Sequence, residues 1–180
     1  MTAAAQGRTP DARDTLVARL GQALRAADAV AANGGAANGG AAGGGRPSGA
    51  AGWADADLEP MPDKGLAHDH VRLAGRGIVA RLPKQSQMGL GAAANLAYQA
   101  ACYTRASASG HAPRLIATLA PGAALPRGGL LVEEIAGHPA RLPGDLPAIA
   151  TALGRIHALP LPPAPARPPL ADPADPLALL

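Results

Sequence analysis

The side chains suited to chemistry are few and scattered. Arg81 lies two positions after Val79 in the apolar run Gly77-Ile78-Val79-Ala80-Arg81-Leu82, and Lys84 follows beyond Pro83. Proline donates no ladder hydrogen bond, so the run predicts a strand that has ended before Lys84. His68 and His70 have the spacing that places alternate strand side chains on one face. A structural zinc site needs four ligands, and no third or fourth accompanies these two. Cys102 stands beside Ala100 and Ala101 in a helical pattern, which predicts a buried structural thiol rather than a nucleophile. His157 precedes Ala158-Leu159 near a helix end, where partial positive charge suits the helix dipole. Asp172 and Asp175, in Asp172-Pro173-Ala174-Asp175-Pro176, read as repeated helix N-caps.

Composition bounds the element set that must position these groups. A chain of 180 residues predicts one domain of ordinary size. Residues 33–45 are Asn, Gly and Ala only, with Asn33-Gly34-Gly35-Ala36-Ala37 repeated at once as Asn38-Gly39-Gly40-Ala41-Ala42. Glycine loses the most backbone freedom on ordering and buries no side chain, so 32–55 reads as a disordered linker. Proline recurs from Pro160 to Pro176 and favours extended, polyproline-like backbone. About 100 residues, Trp53 to Leu159, remain to build a core. The 48% hydrophobic content overstates that core, because much of it is alanine, phenylalanine is absent, and the aromatics are Trp53, Tyr98 and Tyr103. A buried aliphatic side chain contributes roughly 1.5–3 kcal/mol and alanine far less, so the fold must rest on Leu, Val and Ile.

The net charge of +3 comes with no Lys/Arg run interleaved with aromatics, which argues against nucleic acid as a partner. The single cysteine excludes an intramolecular disulfide and suits a reducing compartment. No basic segment followed by an apolar one opens the chain, and no apolar run approaches ~20 residues. The expectation is a cytoplasmic protein that neither enters nor spans a membrane.

Periodicity then places the elements. Leu16, Leu20, Leu24 and Ala27 form a helical stripe over 11–31, an amphipathic segment of 1–31 that the glycine linker separates from the rest. Whether it packs on the domain or on a partner is open at this level. Leu58 to Gly65 predicts a first strand weakened by Pro60 and Pro62. Residues 70–73 and 77–82 flank Ala74-Gly75-Arg76, a hairpin turn signal. Residues 91–107 predict a helix with Leu96, Ala100 and Tyr103 on one face, ended by Ser109-Gly110. Strands follow at 114–119 and 129–135. Asp145 and Pro147 then open a helix to Leu159, with Leu146, Ala150, Leu153 and Ile156 on the face expected to pack on the lobe. Strands, helix, strands and helix make an α+β class: an antiparallel sheet with a packed helix.

That order carries a resemblance. Arg114-Leu115-Ile116-Ala117-Thr118-Leu119, Gly129-Leu130-Leu131-Val132-Glu133-Glu134-Ile135, the strand ending Val79-Ala80-Arg81 and the helix around Gln99 resemble the nucleotide-binding lobe of the aminoglycoside phosphotransferase and choline kinase-like enzymes. These share the protein-kinase-like fold, and the resemblance covers about residues 56–163. It implies that Arg81 is the phosphate-binding cation, with Val79 on the same strand face against the base; a plain strand-end arginine on a solvated edge is the alternative. Matching Gly110-His111-Ala112-Pro113 to the family's Gly-x-x-Pro segment puts Gln99 where a helix glutamate would hold that cation. A glutamine forms hydrogen bonds but cannot neutralise a guanidinium. Leu131 to Gly137 resembles the hinge, so the Glu133 carbonyl and the Ile135 amide are expected to meet adenine. Lys64 to Asp69, with one glycine, would cover the phosphates.

Intact relatives of this kind transfer the γ-phosphoryl of ATP, with magnesium, to a hydroxyl of a small molecule. Their catalytic loop reads His-Gly-Asp followed by an asparagine, with an Asp-containing metal motif further on. No His-x-Asp-x-x-x-x-Asn occurs from His157 onward. The resemblance therefore implies a lobe without catalytic or metal-binding residues, truncated where 164–180 would enter a second lobe, with weak ATP binding at most. The acceptor, which the second lobe would choose, and the oligomeric state stay open. The rival expectation is a non-catalytic binding module that docks through the 11–31 helix.

Overall fold

The computed structural model describes residues 12–32, 52–62 and 65–161. Of the linker expected over 32–55, residues 33–51 lie outside the described residues, as does the tail beyond 161; Ala32 instead ends α1 and Trp53 packs against the core. The elements are α1 (Ala12–Ala32), β1 (Leu58–Pro60), β2 (His68–Leu73), β3 (Ile78–Pro83), α2 (Ala92–Ser107), β4 (Leu115–Leu119), β5 (Gly129–Glu133) and α3 (Leu146–His157). The five strands form one antiparallel sheet in the order β1-β2-β3-β5-β4.

Alternation sorts the strand side chains onto two faces, each covered by a helix. Val71 and Leu73 of β2, Ile78, Ala80 and Leu82 of β3, and Leu131 of β5 join Leu20 and Leu24 of α1 in one core. Leu130 and Val132 of β5 and Val79 of β3 point the other way, to Leu96, Ala100 and Tyr103 of α2. A strand buried on both faces reads as a continuous apolar run, and Leu130-Leu131-Val132 is such a run. The β2–β3 turn is Ala74–Gly77, where Gly75 and Gly77 take φ of +70° and +62°. These left-handed values carry a steric cost for residues with a Cβ.

α1 is part of this core and not a segment set apart by its linker. Leu20 and Leu24 are 0% exposed, four residues apart on one helical face. Arg19 Nε donates to the Ala124 carbonyl at 2.7 Å, and the Ala54 amide donates to Asp28 Oδ2 at 2.9 Å, so both halves of the helix are tied to loops. No helix among the described residues is long and apolar enough to cross a membrane.

Three other expectations need correction. The first strand stops at Pro60, well short of Gly65, because its pairing with β2 ends at Val71. The last strand ends at Glu133, and Glu134 closes the ladder with a hydrogen bond to the Gly77 carbonyl. α3 does not bury its Leu146–Leu153–Ile156 face: it has no buried residue, and Leu146 and Leu153 are 51% and 52% exposed. Both faces of the sheet already carry a helix, so no strand surface remains for α3 to lie on. Asp145 does hold the N-cap position, but its Oδ2 accepts from the Arg141 amide and not from the first turn of α3.

Two substitutions test the packing. Leu24→Ala should cost about 2–5 kcal/mol in urea denaturation, the range for truncating a buried leucine. A loss near zero would place α1 outside the cooperative unit. Gly128 enters β5 at φ +67°, and a Cβ there would lie 2.5 Å from the Leu119 carbonyl oxygen and 3.0 Å from Leu96 Cδ2. Gly128→Ala should therefore destabilise by about 2–4 kcal/mol, through left-handed strain and overpacking together. Wild-type stability in the same denaturation series would refute that close approach.

Candidate functional site

β3 puts Arg81 on the α2 face of the sheet, two residues beyond Val79, with His70 and Leu130 as its cross-strand neighbours. Val79 packs into the Leu96–Leu130–Val132 cluster, so the sheet floor beside the guanidinium is apolar. The Arg81 Cζ lies 5.4 Å from the centroid of the Tyr103 ring, a cation–π contact. Its Nε is buried and has no hydrogen-bond partner. Burial pushes the Tyr103 hydroxyl's pKa up, partly offset by the neighbouring Arg81 charge.

The resemblance implies Gln99 as the partner of Arg81, and the structure gives Gln99 a different one. Gln99 Oε1 is 2.9 Å from His68 Nε2, so the carboxamide oxygen accepts and neutral His68 carries its hydrogen on Nε2. His68 reaches α2 from the neighbouring strand, whereas Arg81 lies over Tyr103, one turn further along the helix. His68 and Asp69 also belong to β2 rather than to a phosphate-covering loop. Lys64 of that loop lies outside the described residues. Lys84 bridges Asp69 at 3.1 Å.

His68 and His70 stand side by side, ring centroids 6.2 Å apart. Burial holds both pKa values below their usual one, and the Arg81 charge pushes them the same way. Burial thus favours the neutral imidazole at both positions. Among the described residues, no group of three or more His, Cys, Asp or Glu is placed to hold a metal.

Glu133 and Ile135 lie at the far end of β5. Glu133 pairs with Ile78 in register, three positions from the Arg81↔Leu130 pair, which is about 10 Å along the strand. The Glu133 amide donates to the Arg114 carbonyl at 2.9 Å, and its carboxylate takes Arg114 Nε and Nη2 at 3.2 and 3.3 Å. That pairing lowers the Glu133 pKa. Glu134 Oε1 accepts from Arg72 Nε at 2.7 Å, and Arg72 Nη1 also reaches Glu59 at 3.3 Å. Ile135 follows the strand with its side chain 63% exposed. The structure thus brings Val79 and Arg81 onto one strand face and sets Glu133 and Ile135 at the strand end.

Cys102 is exposed, which overturns the buried thiol expected from its alanine neighbours. It sits on the α2 side toward His68 and Arg81, lining the same cavity as Tyr98, Asn95 and Gln99. Burial raises the Tyr98 pKa, with the neighbouring Cys102 adding to it. Sequence reasoning missed Asn95, although Asn95, Gln99 and Tyr103 recur every four residues and so share one helical face. His157 is the exposed last residue of α3, as its place near a helix end suggests.

Comparison with protein-family models, with curated proteins and with solved structures gives no match to this chain.

The two lowered imidazole pKa values predict a pH dependence of stability. The unfolded chain takes up a proton near pH 6.5, whereas the folded chain resists it until a lower pH. Where the unfolded state binds more protons, stability rises with pH. The contribution is therefore complete above about pH 6.5 and is lost as pH falls below it. Melting temperature should drop between about pH 7.5 and 5.5, and a His68→Asn/His70→Asn variant should flatten that drop. An unchanged pH profile in the variant would assign the effect elsewhere.

Proposed function

We propose that the sheet and α2 form the nucleotide-binding lobe of a small-molecule phosphotransferase, of the aminoglycoside phosphotransferase and choline kinase-like kind. The observation that carries this reading is Arg81: a guanidinium on the α2 face of β3, with Val79 two residues before it and no acidic partner among the described residues. A nucleotide supplies the missing anion. With its base at the end of β5 by the Glu133 carbonyl and Ile135 amide, and Val79 beneath, about 10 Å of strand separates base from cation. That is the reach from a nucleobase to its phosphates.

The order of β3, α2, β4 and β5 supports the reading, and so do the exposed Ile135 after β5 and the exposed Leu146 and Leu153 of α3, since a lobe that meets a second lobe leaves apolar residues uncovered. In this reading ATP is the ligand and magnesium accompanies it only where a metal motif is supplied. The acceptor is a small molecule with a hydroxyl group. The part these residues play in that reading is to bind nucleotide, through Arg81 and the end of β5.

Titration of the isotopically labelled chain with ATP tests this. Chemical-shift changes should centre on Val79, Arg81, Glu133 and Ile135, with a dissociation constant in the millimolar range, roughly 4 kcal/mol of binding. The chain alone should show no ATP-dependent transfer to aminoglycosides, choline or sugars above background. Shifts centred on α1, or turnover lost on mutating a residue of this chain, would overturn the reading.

A further inference from the structure

The two layers that cover the sheet are held unequally. Among the described residues, the core under α1 contains ten buried apolar residues and the core under α2 three, Leu96, Leu130 and Val132. Of α2 itself only Asn95 and Leu96 are buried, and its N-cap residue, Gly91, makes no side-chain cap. Segments with few buried apolar contacts open locally at a lower free energy than the whole fold. α2 is therefore the layer that depends more on polar contacts to stay seated.

Two such contacts lie within one turn of the helix. His68 Nε2 is bonded to Gln99 Oε1 at 2.9 Å, and the Arg81 guanidinium lies 5.4 Å from the Tyr103 ring centroid. His70 pairs across the strands with Arg81 and stands beside His68. One fixed cation and two imidazoles that can become cations thus share this spot. The groups around them bring little negative charge. Asp69, between the two histidines, bridges Lys84 at 3.1 Å. On the α1 side, Arg13 and Arg19 share a cavity with His70. α2 turns Tyr98, Gln99, Cys102 and Tyr103 toward this region, has no Asp or Glu, and carries Arg105 as its one charged residue.

We infer that the His68–His70 pair is an acid-sensitive latch for α2: the neutral pair lets the helix seat, and protonation releases it from the sheet while the α1-side core stays folded. Protonated His68 still has its Nε2 hydrogen for Gln99, so the bond itself does not fail. What fails is the match of charge, since each imidazolium faces Arg81 and the other histidine with no carboxylate on the helix above. With α2 released, both rings are hydrated and the repulsion is screened. The lowered pKa values of the seated pair agree in sign: the released state takes up protons near pH 6.5, the seated state only at lower pH. Seating is therefore complete above about pH 6.5 and weakens below it, by at most about tenfold per histidine at pH 5.5.

Backbone hydrogen exchange of the full chain at pH 7.5 and 5.5, corrected for intrinsic rates, tests the latch. The α2 amides should be less protected than those of β3 and β5 at both pH values, and should lose roughly 10- to 100-fold more protection at pH 5.5. His68→Asn/His70→Asn should abolish that loss. Gln99→Glu sets a carboxylate against His68 and should make α2 hold more firmly at pH 5.5, which a purely packing role would not produce. If a variant fails to fold, the wild-type imidazole resonances decide, since they should titrate along the same curve as α2 exchange. Equal opening free energies for α2 and β3 would show that α2 does not release separately and overturn the latch. So would α2 protection that ignores pH, or that falls equally in the double-histidine variant.

Discussion

Every feature of the candidate site follows from a sheet that is covered by helices on both sides. With α1 on one face and α2 on the other, each residue of β3 must turn toward one helix or the other. Ile78, Ala80 and Leu82 go under α1; Val79 and Arg81 go under α2. For four of these five side chains the outcome is ordinary packing. For Arg81 it places a guanidinium in a half-covered position whose neighbours are apolar, aromatic or neutral. Such a charge is tolerated only when something satisfies it, and Tyr103 does so in part.

The distribution of the acids sharpens this. Glu59, Glu133 and Glu134 are engaged by Arg72 and Arg114 at the other end of the sheet, and Asp69 by Lys84. Exposed ion pairs of this kind contribute little to stability. Their positions leave Arg81 without a carboxylate partner among the described residues. Desolvation keeps His68 and His70 from adding charge of their own at neutral pH. Among the described residues that line the cavity beside α2, Arg81 is the one with a fixed charge.

α1 and α3 show how the same amphipathic pattern meets different fates. Both carry leucines at helical spacing, yet Leu20 and Leu24 are fully buried while Leu146 and Leu153 are half exposed. α1 reaches the open face of the sheet, where Val71, Leu73 and Leu131 wait for a cover. α3 comes after both faces are taken. A core built without phenylalanine depends on such leucines, and the burial of α1 is what gives the aliphatic sheet a second side.

Much of the scaffold was legible in residue order. The turn signal at Ala74-Gly75-Arg76 implied the β2–β3 hairpin, the leucine and alanine spacing implied α1 and α2, and the apolar run at 129–135 implied a strand, though not that both of its faces would be covered. These are local properties, set by backbone sterics and by the period of the apolar residues, so a sequence carries them by itself. Partner choice is not local. That Gln99 bonds His68 and not Arg81, that Asn95 is buried with an idle donor, that Cys102 is exposed and that α3 keeps its leucines outside all depend on which elements, distant in sequence, cover each face. The sequence determined which elements form and which side chains share a face; the tertiary structure decided what each face meets, because burial and hydrogen bonding are settled by neighbours that no local pattern specifies.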